Sequence, residues 1–104
     1  MSHELAEKTA GLASRINNLT IHHTGKHCRK LIELQDRLAK LTLLAIVKDL
    51  NAEHEAYQAA IAGINEAIDF IGDADKKIKK INEAINVVTQ TIDCIERALT
   101  DAIL

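Results

Sequence analysis

The chain has 104 residues, no proline and only four glycines, and its net charge of −2 leaves it without the strong basic balance of a general nucleic-acid binder. With one tyrosine, one phenylalanine and no tryptophan, it lacks the stacking rings of a single-strand reader and the aromatic walls common in small-molecule pockets. Ala, Leu, Ile, Glu and Lys dominate, the composition of long helices.

The amino-terminal residues carry no apolar signal segment, and the run Leu43-Leu44-Ala45-Ile46-Val47 is far too short to span a bilayer. Ser2 is placed to cap a first helix whose early acids, Glu4 and Glu7, sit near the positive end of the helix dipole. Leu5, Leu12, Ile16 and Leu19 mark one face of that helix, with Thr9 filling the remaining seam position. The expected span is about 3–18, because Asn17, Asn18 and Thr20 form helix poorly and Thr24-Gly25 reads as a break.

A second helical stretch is expected over about 25–71, with a seam at Leu31, Leu34, Leu38 and Leu41. From Leu38 to Leu50 the apolar residues spread beyond one face, as in a helix buried on several sides. A strand over 42–47 is excluded, since no second strand exists to pair its backbone groups. The stretch either runs unbroken or splits near 49–52, where Asp49 or Asn51 caps a new helix with Glu53 and Glu55 in its first turn.

The clearest periodicity lies between Leu50 and Leu99. Large apolar residues fall at Leu50, Tyr57, Ile61, Ile64, Ile68 and Ile71, then at Ile78, Ile81, Ile85, Val88, Ile92, Ile95 and Leu99. The steps alternate between three and four, with His54 in one seam place, which is a heptad seam. An unbroken helix would take two three-residue steps together around Ala74, a stammer that overwinds a coiled coil. A turn at Gly72–Asp75, with Gly72 as left-handed C-cap and Asp73 or Asp75 as the next N-cap, removes that conflict and starts a last helix at about 74–102. The segment Ile-Asn-Glu-Ala-Ile occurs at 64–68 and again at 81–85, an echo that duplication or shared heptad constraint explains about equally well. The sequence therefore predicts a single all-α domain: an antiparallel bundle of three or four helices with a coiled-coil-like hairpin turning at Gly72–Asp75.

Charge divides unevenly. Residues 1–48 carry eight Lys/Arg against four Asp/Glu, whereas residues 49–104 carry five against eleven. Two halves of opposite sign can pair across a bundle, or the basic half can meet an acidic partner.

Three clusters are candidates for a site. Lys26, Arg29, Lys30, Arg37 and Lys40 make the second helix basic. Lys76, Lys77, Lys79 and Lys80 surround Ile78 as a lysine shoulder able to dock on an acidic surface. His22, His23, His27 and Cys28 offer imidazole and thiol groups for zinc or copper, although Gly25 interrupts the i,i+4 pair His23/His27. No glycine-rich phosphate loop, nucleophile elbow or paired metal-carboxylate motif occurs, and the serines are only Ser2 and Ser14. Cys28 and Cys94 form no redox or metal motif and read as reduced thiols of a cytoplasmic protein.

The expected function is a non-catalytic, cofactor-free helical module for protein–protein interaction, an adaptor, small regulator or inhibitor. Self-association is expected because the apolar face at Leu38–Leu50 exceeds what one thin hairpin covers. A metal-binding bundle on the histidine cluster is the first alternative. A nucleic-acid-associated protein using the basic second helix is the next, against which stand the acidic balance and the absence of a helix-turn-helix pattern.

Overall fold

The computed structural model describes residues 3–22, 25–76 and 80–104, the side chains of 22 and 73–76 excepted. Among the described residues there are four helices: α1 (Glu4–His22), α2 (Gly25–Val47), α3 (Glu55–Lys76) and α4 (Ile81–Asp101). They pack into a bundle of 41 × 20 × 17 Å. α1 lies against α2 and α3, and α4 against α3 and α2, so α1/α4 and α2/α3 sit on the diagonals.

The seams read from the sequence form the core. Leu5, Leu12, Ile16 and Leu19 of α1 and Leu31, Leu34 and Leu38 of α2 are almost wholly buried, joined by Ile64, Ile81, Val88, Ile92 and Ile95. Thr9 takes its seam position with its hydroxyl donating to the Leu5 carbonyl at 2.7 Å, which satisfies the one polar atom it brings inside. α3 and α4 also bury small residues at heptad spacing: Ala60 and Ala67 on one side, Ala84, Thr91 and Ala98 on the other. Ile61 and Ile68 are consequently half-buried flanks of the α3 seam. Thr91 closes the contact, its single hydroxyl proton shared between the carbonyls of Val87 at 2.9 Å and Gly63 at 3.3 Å. Both copies of Ile-Asn-Glu-Ala-Ile bury their first Ile and their Ala and expose Asn and Glu, as heptad constraint requires.

α1 outlasts its expected end, running to His22, with the Thr20 hydroxyl bonded back to the Asn17 carbonyl at 2.6 Å. At its start the His3 carbonyl accepts the Glu7 amide at 2.9 Å; the cap expected at Ser2 lies outside the described residues. The run 42–47 is helical, and the long second stretch is split. α2 stops at Val47, and the connection before α3 supplies its own backbone partners. The Asn51 side chain accepts the Glu53 amide at 3.0 Å. His54 is the N-cap of α3: its carbonyl takes the Gln58 amide at 3.0 Å and its Nδ1 takes the Ala56 amide, also at 3.0 Å. The connection is clasped by the chain end. Leu50 and Ile103 form an isolated antiparallel bridge, with Asn51 N–H on the Ala102 carbonyl at 2.6 Å and Leu104 N–H on the Asp49 carbonyl at 3.0 Å.

The turn expected at Gly72–Asp75 is displaced. α3 continues through Gly72 to Lys76, and Gly25 is the glycine with positive φ among the described residues, at 66°. Asp73 and Asp75 therefore lie within α3 instead of at the start of α4, which begins at Ile81 after Lys80. A helical glycine costs only about 1 kcal/mol relative to alanine, too little to end a helix by itself. The stammer never arises, since the seams on either side belong to different helices. The expected seam residue Ile78 lies outside the described residues.

The broad apolar segment at Leu38–Leu50 is also corrected. Leu38, Leu41 and Ala45 are buried, but Leu43, Leu44, Ile46 and Val47 are exposed, because among the described helices α2 packs on α1 and α4 alone.

Candidate interaction surfaces

α2 presents the surfaces with functional potential. Its core seam faces inward, and at 3.6 residues per turn the remaining positions fall on two flanks and an outer rim. Lys26, Lys30 and Arg37 lie on the flank toward α4. There, Lys26, His27, Arg29, Lys30 and the acidic Glu33 line a shallow groove of about 320 Å³ with Asn82 and Ile85. Further along, Arg37 donates to Glu96 of α4 at 2.7 Å. Near the end of α2, Lys48 Nζ reaches the Leu99 carbonyl at 3.1 Å and satisfies the last turn of α4. The opposed charges of the two halves thus meet directly at Arg37–Glu96.

The basic residues of α2 differ in their partners. Lys40 pairs with Asp36 at 3.1 Å and Lys30 with Glu33 at 3.6 Å, both within the helix. Lys26 and Arg29 are exposed and make no ion pair among the described residues. Of the lysine shoulder, Lys80 is half-buried with Nζ 5.7 Å from the centre of the Phe70 ring. Lys77, Lys79 and the side chain of Lys76 lie outside the described residues.

His27 and Cys28 are adjacent on α2, so their side chains leave the helix about 100° apart. The side chain of His22 and the whole of His23 lie outside the described residues, and no group of three or more metal-ligating side chains is gathered among those described. Cys28 and Cys94 are unpaired, half-buried thiols.

Two features went unnoticed in the sequence. One is a cleft of about 270 Å³ where the start of α3 meets the end of α4, lined by His54, Glu55, Ala56, Cys94, Arg97 and Asp101. The other is an apolar groove of about 370 Å³ between α1 and α2, lined by Ala6, Ala10, Thr42 and Ile46 with His3 and Glu7 at its edge. The Thr42 hydroxyl is turned back onto the Leu38 carbonyl at 2.8 Å, which leaves its methyl for the groove wall. The signal for this groove is a second seven-residue spacing on α2, Ile32–Ala39–Ile46, hidden behind the stronger leucine seam.

No protein-family model, curated protein or solved structure matches this chain. Among the described residues no helix is long and apolar enough to cross a membrane.

Proposed function

We propose that the chain is a non-catalytic, single-domain helical module that docks on an acidic protein surface through the basic flank of α2 and also self-associates. The observation that carries this reading is the groove at the start of α2, where Lys26 and Arg29 stand exposed beside apolar Ile85. Unspent positive charge around a shallow apolar floor suits an acidic amphipathic helix, which can seat apolar side chains and pair its carboxylates at the edges. The bundle acts as a rigid frame for this surface. Its helices alternate in direction, a reading supported by Gly63–Thr91 and the His54–Asp101 cleft across α3/α4.

The test is binding of a synthetic acidic amphipathic peptide, followed by fluorescence anisotropy. The triple exchange Lys26→Glu, Arg29→Glu, Lys30→Glu should weaken capture at least about tenfold, or 1.4 kcal/mol, with unchanged helicity. Affinity equal to that of the parent chain removes this surface from the proposal. A single-stranded oligonucleotide bound more tightly than the peptide, with a steep salt dependence, would replace it with nucleic acid.

A further inference from the structure

α2 carries apolar residues far in excess of what its own bundle buries. Its core seam is Leu31, Leu34, Leu38, Leu41 and Ala45. A second seam runs along the side next to α1: Ile32 is 53% exposed, Leu43 65% and Ile46 49%, with exposed Ala39 between them. Ile32, Ala39 and Ile46 repeat every seven residues, the spacing by which one helix meets another. Beside them α1 contributes Ala6, Ala10 and Ala13, small residues that let a further helix approach the backbone closely.

We infer that a second copy of this chain covers the α1/α2 face, making the protein a two-fold dimer. The inference rests on the interaction-module reading and specifies its self-association. Three observations favour a copy over a foreign helix. First, the face is nearly uncharged, and its rim carries both signs: Glu7 on α1, then Asp36 and Lys40 on α2. In a two-fold contact every residue meets the same surface on the partner, so a mixed rim complements itself, whereas a strongly acidic partner is drawn to the basic flank across the helix. Second, the face already supplies what its occupant needs, a heptad seam beside a row of small residues. Third, the area fits. α2 is about 35 Å long and two adjacent helices are roughly 20 Å wide, so the face covers on the order of 700 Å² per copy. Two such faces give about 1,400 Å², within the range of stable protein interfaces.

Light scattering and sedimentation equilibrium over about a hundredfold range of concentration test the inference, because dimerisation responds to mass action. The parent chain should have the mass of two copies at the upper end. Leu43→Glu and, separately, Ala39→Glu should weaken association at least about tenfold, 1.4 kcal/mol in free energy. Both positions are exposed within one chain, so far-ultraviolet circular dichroism should stay unchanged. Arg37→Glu, on the other flank, should leave the dimer intact. A measurement without substitutions guards against misfolding: amide exchange at residues 32–46 should slow as the parent chain is concentrated. A single-copy mass at every concentration overturns the inference, and so does a dimer insensitive to both glutamates. A monomer that still captures the acidic peptide removes the dimer alone; a dimer that captures none removes the docking reading alone.

Discussion

The hydroxyl of Tyr57 accepts the backbone amide of Leu5 at 3.1 Å, across 52 residues of chain. Leu5 is the second residue of α1, so its amide is one of those a helix start cannot satisfy internally. Both residues are buried, Leu5 at 1% and Tyr57 at 2% exposure, which makes the bond a tertiary cap supplied by α3. Tyr57→Phe keeps the ring and strands the amide, at a cost of about 1–3 kcal/mol. At some 4–8 °C per kcal/mol for a domain near this size, thermal unfolding should fall by roughly 10 °C. The Leu5 amide should lose its protection from exchange in the same variant. An unchanged melting temperature would show that the amide finds another partner.

The position of the α3 end makes two glycines respond with opposite signs. Gly72 is helical, and a Cβ built on it meets nothing within 4 Å. Gly72→Ala should therefore stabilise by about 0.5–1 kcal/mol, where a left-handed cap would have been destabilised. Gly25 opens α2 with φ at +66°, so Gly25→Ala should cost roughly 1–2 kcal/mol. Denaturant midpoints of the two variants on either side of the parent chain would confirm the assignment; a loss in both would place the turn back at Gly72.

His54 caps α3 through Nδ1, which holds the Ala56 amide at 3.0 Å. His54→Ala should destabilise by about 0.5–2 kcal/mol, and His54→Asn, whose side-chain oxygen can take the same amide, should restore most of it. Equal losses in Ala and Asn variants, read by urea titration, would assign the effect to packing in the cleft instead of the cap.

Arg37 and Glu96 join the basic and acidic halves, but their side chains are 43% and 48% exposed. Solvent screens such a pair, so a double-mutant cycle should return a coupling below about 1 kcal/mol that shrinks further in high salt. A coupling several times larger would mean that this one contact sets how α2 and α4 register.

These residues also show what the sequence could and could not disclose. The seams were legible because burial of large aliphatic side chains imposes a periodicity that survives in the letters alone: Leu12, Ile16, Ile64 and Ile92 all sit where their spacing places them. Ala60, Ala67 and Ala98 were overlooked because alanine is equally at home on a surface, so its burial is decided by the neighbouring helix. Gly72 does not end α3 because a glycine's preference for turns is worth only about 1 kcal/mol against a helix already formed on both sides of it. The Tyr57 cap left no local trace, since its partner is on another element. On α2 the basic residues were visible, but which of them are spent on Asp36, Glu33 and Glu96 depends on geometry. The second seam was present in the spacing of Ile32, Ala39 and Ile46 and was masked by the leucines beside it.

The bridge between Leu50 and Ile103 turns the last two helices into a closed ring of chain, its ends tied by hydrogen bonds at Asn51 and Leu104. The entropic cost of closing such a ring rises only with the logarithm of its length, and most of it is already met once α3 and α4 have zipped together. The tie is therefore expected to form after the helices meet and to open without the aliphatic seam. The amides of Asn51 and Leu104 become a paired clock for that motion: exchanging together, they time the opening of the bundle at one end while the aliphatic seam stays shut.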